Sequence, residues 1–220
     1  MDNRHIEVPD NKNYEYALDQ AYTIVREKLL SIEDLERHCS SSDSRYSEKD
    51  GVKNITVRYL GEEYKVTFPV MKITKEYEKN EIPFREKVLI LHYLAQAKGT
   101  PPSGKYITFR ELPEGPVYFR TFSKRTIQPL VKNFGEDPDR LLDAGKDFGG
   151  VRSELGDVSI VIPAFNHVPV TIVLWKGDEE FPPEGSVMFD ANIQDYLTTE
   201  DVTVLSEVIT WNLVRKRYQK

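Results

Sequence analysis

Two groups of side chains in this sequence are chemically suggestive. The first is the pair His92 and His167. His92 lies within the apolar run LILHYLA, where an imidazole must be at least partly buried and must find a partner. A hydrogen-bonded core histidine is the plain reading. The sharper one is a single axial ligand, or an acid–base residue facing a cavity. His167 sits in AFNHVP between two strand-like runs, can reach the same end of a sheet, and takes the same two readings. His5 and His38 read as surface residues, and none of the four histidines makes a pair at metal-ligand spacing.

The second group is the run Asp178, Glu179 and Glu180, with Asp190 further along, whose oxygens suit a hard cation. Adjacent strand residues point to opposite faces, so three in a row converge only where the chain turns, and a solvated turn competes with a metal site. With His167 as base, these acids give a metal-dependent hydrolase or lyase reading. Asp190 alternatively caps the next segment of the chain. Tyr93 and Trp175, with Tyr106, Phe109 and Tyr118, are able to line a cleft for a flat ligand, although aromatics at such spacing also fill cores.

Other signatures fail on mechanism. GTPPSGKY, from Gly99 to Tyr106, nearly spells a phosphate-binding loop, but such a loop follows a strand, opens a helix and needs Ser or Thr after its lysine. Here a helix precedes, a strand follows, and Tyr106 takes the hydroxyl position, so a proline-stiffened connection is the simpler reading. GxGxxG, HExxH, GxSxG and CxxCH are all absent.

Periodicity places helices and strands around these residues. Helices are expected over Tyr14 to Leu30, from a stripe of Ala17, Ala21, Ile24, Val25 and Leu29, and over a short stretch ending near Cys39. Ser40 to Asp50 reads as an exposed loop leading to a hairpin, Asn54 to Leu60 and Glu63 to Phe68, which Pro69 ends. A helix from Pro83 to about Ala97 is apolar nearly all round and belongs at the centre of the fold. GPVYFRTFSKRTIQPLVKNFG reads as a helix interrupted at Pro129, and Asp137-Pro138 starts another that Gly149-Gly150 ends. Lys105 to Phe109, Val158 to Ile162, Val170 to Trp175 and Ser186 to Phe189 read as strands, with Pro163 and Pro169 bracketing one connection. Thr199-Glu200-Asp201 caps a final amphipathic helix.

Helices and strands mix without regular alternation, which predicts an α+β fold: a mixed or antiparallel sheet packed by a central apolar helix and a C-terminal amphipathic helix. We expect an N-terminal helical extension and loop over residues 1–50 and a single α+β domain over 51–220. The 220 residues are 39% hydrophobic with a formal charge of −6, so a globular core is within reach and there is no surplus of cations for nucleic acid. The longest apolar runs are far short of the ~18 residues a spanning helix needs, and no secretory h-region is visible, so a cytoplasmic protein that does not enter membranes is expected. Cys39 is the only cysteine, which excludes an internal disulfide, an all-cysteine zinc site or an iron–sulfur cluster held by this chain alone.

The words LILHYLAQAKG, KYITFRELPEGPVYFRTF, LVKNFG, LWKGDEEFPPEGSVMFD and YLTTEDV occur in this order between Ile82 and Leu213. In them the chain resembles a prokaryotic family known only as a domain of unknown function, and the resemblance brings no catalytic residues. Some members of that family carry an extra cysteine-rich segment similar to the iron–sulfur domain of corrinoid proteins of anaerobic one-carbon metabolism. That resemblance implies a domain working near a tetrapyrrole, with His92 and His167 as the residues able to coordinate cobalt or iron. The Asp-x-His-x-x-Gly motif of corrinoid-binding domains is absent, so any such binding would use a different loop.

The leading expectation is therefore a non-catalytic binding or accessory protein for a flat cofactor, corrinoid (cobalamin) ahead of haem, with His92, His167, Tyr93 and Trp175 around it. A homodimer or an iron–sulfur protein is the expected partner. The alternatives are a hydrolase or lyase built on Asp178, Glu179, Glu180 and Asp190, and a protein-interaction module or homodimer built on the terminal helix. The residue types do not decide whether the chain is an enzyme.

Overall fold

The computed structural model describes residues 11–75 and 81–219, so His5 and Lys220 lie outside the described residues. Helices pack on two antiparallel sheets, an α+β arrangement. The first sheet is a meander of β1 (Arg45–Lys49), β2 (Val52–Tyr59), β3 (Glu62–Phe68) and β4 (Lys72–Lys75). Period-two alternation turns Ile55, Val57 and Tyr59 of β2, and Tyr64, Val66 and Phe68 of β3, into the core. Two of these strands depart from expectation. The polar stretch Ser40 to Asp50 reads as loop, yet Arg45–Lys49 pairs with β2 in a register that sets Tyr46 opposite Ile55. Its side chains are mostly exposed and charged, as suits a sheet edge, so no apolar alternation announces it. β4 likewise continues the meander beyond Pro69, burying Ile73.

The second sheet has the order β5-β9-β8-β7-β6, formed by β5 (Tyr106–Thr108), β6 (Val151–Ser153), β7 (Val158–Phe165), β8 (Val168–Trp175) and β9 (Glu184–Asp190). β8 is central, and Val170 to Leu174 are all buried, in keeping with a run that is apolar but for Thr171. Pro163 and Pro169 do not bracket the connection. Both strands run on through them, and the two prolines face each other beside a register shift, where a missing N–H is tolerated. Asn166 and His167 then form the hairpin turn.

Among the helices are α1 (Asn11–Leu30), α2 (Leu35–Ser41), α3 (Phe84–Gln96), α4 (Gly115–Arg125), α5 (Ile127–Phe134), α6 (Asp139–Gly145) and α7 (Thr199–Arg217). α3 buries Val88, Leu89, Ile90, Leu91, Tyr93, Leu94 and Ala95, apolar on nearly every side, and packs against α1 and α7. α1 and α2, in the segment read as an extension, place Val25, Leu29, Leu35 and Cys39 in the same core as both sheets. The break between α4 and α5 falls at buried Thr126 rather than at Pro129. Pro129 lies in the first turn of α5, where its missing N–H goes unneeded. The cap of α7 sits one residue earlier than expected: Thr198 and Asp201 form a reciprocal capping box. Among the described residues no helix is long and apolar enough to cross a membrane.

The two sheets share no strand, and a column of rings joins them. Tyr93 of α3 stacks on Phe165 of β7 at 4.0 Å, Phe165 lies 4.9 Å from Tyr59 of β2, and Tyr59 meets Tyr64 of β3 at 5.6 Å. On its other side Tyr93 stacks on Tyr196 at 5.6 Å, and Tyr196 on His167 at 5.4 Å. A backbone bond from Leu60 N–H to the Ala164 carbonyl, 2.9 Å, reinforces the joint. Burial pushes the pKa of the Tyr59 hydroxyl well above its ordinary value and also raises that of the Glu86 carboxyl. Because Tyr93 is the middle ring and also donates to the Ser42 carbonyl at 2.8 Å, Tyr93→Ala is expected to cost about 3–5 kcal/mol. Urea unfolding checks this, and a loss below about 1 kcal/mol would mean the column is incidental.

Candidate functional site

α3 carries His92 toward the first turn of α7, where Asp201 waits. The ring Nδ1 lies 2.6 Å from Asp201 Oδ1, with 21% of the His92 side chain and 8% of the Asp201 side chain exposed. The other carboxylate oxygen accepts from the Thr198 hydroxyl at 2.8 Å, the Thr198 N–H at 3.1 Å and Gln96 Nε2 at 3.4 Å. One carboxylate thus closes a helix cap and orients an imidazole. Burial pushes the Asp201 pKa up, but the His92 hydrogen bond and charge and the Thr198 donors outweigh it and hold the carboxyl below its ordinary value. The helix N-terminus favours the same ionised form. An ionised Asp201 keeps the proton on Nδ1 and leaves Nε2, which makes no hydrogen bond among the described residues, as the ring's outward nitrogen.

The remaining residues expected around a flat ligand do not gather at His92. His167 stacks on Tyr196 at the end of the ring column, and its carbonyl accepts from Asn192 Nδ2 at 3.1 Å. Tyr93 is fully buried with a ring on either side, so it offers no face to a guest. Trp175, partly exposed, ends β8 while His167 precedes its start, roughly 26 Å apart along the strand. His38 also departs from expectation: it is partly buried, and its Nε2 bonds the Leu94 carbonyl at 2.7 Å.

The acidic residues separate as well. Asp178 Oδ1 accepts the N–H groups of Glu180 and Phe181, both at 2.8 Å, and this holds its pKa below the ordinary value while Glu179 and Glu180 face solvent. Asp190 lies at the far end of β9. It is buried and accepts from Ser103 N–H (2.9 Å), Ser103 Oγ (3.0 Å), Gly104 N–H (2.6 Å) and Asn192 N–H (3.0 Å). Desolvation raises its pKa, but these donors hold the net value below the ordinary one. The loop that nearly spells a phosphate-binding motif does cradle an anion with backbone N–H groups. That anion is the protein's own carboxylate. Thr100 and Lys98 lock the same loop to Asp195 at 2.7 and 2.9 Å, and Tyr196, its phenol pushed up to about 12 by burial, donates to the Thr100 carbonyl at 2.6 Å. Among the described residues no three His, Cys, Asp or Glu side chains converge to hold a metal ion.

A model of a known family matches residues 34–211, more than half of the chain. The chain belongs to the family described as Domain of unknown function (DUF3786). No curated protein and no solved structure matches it. The DUF3786 match begins at the N-cap of α2 and ends within α7, so His92, Asp201 and the Asp190 clamp all lie inside it.

Sequence reasoning assigns Asp201 only to a helix cap and does not find it as the partner of His92. The T-x-x-D spacing signals the cap, but nothing local signals an imidazole 109 positions away. Two open grooves have no sequence signal either. One of about 500 Å³ lies between α6 and α7, and one of about 610 Å³ lies between α4 and α7. Neither is lined by His92 or His167.

Asp190→Asn would place an NH2 group against N–H donors, and we expect about 2–3 kcal/mol of lost stability at neutral pH by denaturant unfolding. Asp190 and Asp201 have lowered folded pKa values, so their contribution is complete above the unfolded value near ~4 and disappears as pH falls through the lowered one. Unfolding followed from neutral pH into that acid range should show a smaller decline for Asp190→Asn than for the wild type; an unchanged slope would contradict the assignment.

Proposed function

We propose that this is a cytoplasmic, non-catalytic binding or accessory protein in which His92 Nε2 would hold the metal of a flat cofactor, a corrinoid or a haem. The observation that carries the reading is the 2.6 Å contact between His92 Nδ1 and buried Asp201. A carboxylate behind an imidazole fixes its tautomer and orientation, the arrangement that supports metal-ligating histidines. One imidazole nitrogen is a donor that such a metal accepts, and the metal would supply the ligand-exchange chemistry. The chain's own residues orient Nε2 and keep its lone pair free. The two grooves are open and neither is lined by His92, and the reading taken is an accessory role in which His92 would meet the cofactor at the surface.

The hydrolase or lyase reading has no comparable support. Asp178 and Asp190 direct their carboxylates at backbone donors from opposite ends of β9.

Incubation with aquocobalamin or haemin, followed by desalting and absorption spectroscopy, tests the proposal. The wild type should retain pigment with shifted bands, His92→Ala should not, and Asp201→Asn should weaken binding about 10–100-fold. Absence of a shift, or a shift indifferent to His92→Ala, would overturn it.

A further inference from the structure

The groove between α4 and α7 takes no part in the proposed cofactor role. Arg120, Thr121, Lys124 and Arg125 of α4 line one wall, and Glu207 and Trp211 of α7 the other. Arg125 and Arg85 both reach Glu207, at 3.1 and 4.0 Å, so the groove's one acid is already neutralised. Arg120 and Lys124, one helical turn apart and exposed, have no ion-pair partner among the described residues. Val117, a turn earlier on the same face, is 81% exposed and Trp211 is 45% exposed. In a chain of net charge −6 this is a local surplus of positive charge around an uncovered aromatic ring. A small molecule wants about 70–90% of its surface enclosed, which an open groove does not provide. A protein segment does not need that, and Trp and Arg are the side chains that anchor such contacts.

A segment of complementary charge stands on the same chain. The turn after β8 exposes Glu179, Glu180 and Phe181, the last at 67%, followed by Pro182 and Pro183. The two bonds to Asp178 Oδ1, with a third from Asp178 N–H to the Phe181 carbonyl at 2.9 Å, hold this turn in one shape. None of its residues lines the groove of its own copy. We infer that the acidic turn of one copy docks into the basic groove of a second copy, Glu179 and Glu180 against Arg120 and Lys124, and Phe181 against Trp211. Under a two-fold axis each groove receives the other copy's turn, which closes the assembly as a dimer. Exposed ion pairs contribute little singly and are screened by salt, so the association is weak and salt-sensitive, with the aromatic contact its salt-independent part.

Sedimentation of the full chain over a concentration series at low and high salt tests this. The mass should rise from 25.5 kDa toward twice that at low salt and return at high salt. Lys124→Glu and Glu179→Lys should each raise the dissociation constant at least about tenfold. An equimolar mixture of these two variants should regain wild-type association, because one contact is then native and the other is the same pair with its charges exchanged. Trp211→Ala should weaken the dimer at both salt levels. All these positions are exposed, so unchanged circular dichroism serves as the folding control. A monomer at every concentration and salt, reversals without effect, or no recovery in the mixture would each overturn the proposal. So would a different acidic protein filling the groove while this chain stays monomeric.

Discussion

The ring column around Tyr93 is what makes one body of this fold. Among the described residues, two antiparallel sheets that share no strand are held together by side-chain packing, by the Leu60 to Ala164 bond and by Asn166 of the β7–β8 turn donating to the Asp43 carbonyl ahead of β1. Aromatic rings suit that joint because each buries a large area and stacks in a definite geometry. Tyr93 sits at its centre, stacked on Phe165 at 4.0 Å, and α3 must therefore be buried on almost every side. The preceding residue on α3, His92, is carried by the same geometry to the margin of the core, beside α7. The candidate ligand is thus a by-product of where the column puts its helix.

Three carboxylates that invite a chemical reading share one physical habit. Asp178, Asp190 and Asp201 each accept backbone N–H groups, closing a turn, clamping a loop and capping a helix respectively. Charge-assisted bonds of this kind are strong and local, and they lower the pKa of each acid. A carboxylate saturated in this way has little left for a metal. Only Asp201 also reaches an imidazole, and that extra bond separates the candidate site from the structural clamps.

Much of the secondary structure is legible in the sequence. The all-round apolar pattern of α3, the largely apolar β8 and the alternation of β2 and β3 report burial directly, because side-chain direction repeats with fixed periods. β1 and β4 are not legible, since an edge strand needs only a neighbour's backbone and carries no hydrophobic period of its own. The α4–α5 break is misplaced because a proline in the first turn of a helix and one that interrupts a helix look alike in sequence. The clamp of GTPPSGKY on Asp190 is equally hidden, for an N–H cradle can be recognised by its glycine while the anion it holds cannot.

The order of residues alone settles the α+β character, the central place of α3, the start of α7 to within one residue and the absence of a cysteine framework. These rest on local periodicity, cap chemistry and composition, which short-range sterics and solvation decide. The pairing of His92 with Asp201, the occupation of the glycine loop by Asp190 and the groove between α4 and α7 emerge only once the chain is folded. Each joins or separates residues remote along the chain, and their proximity is set by the packing of helices and sheets against one another rather than by anything encoded within either segment.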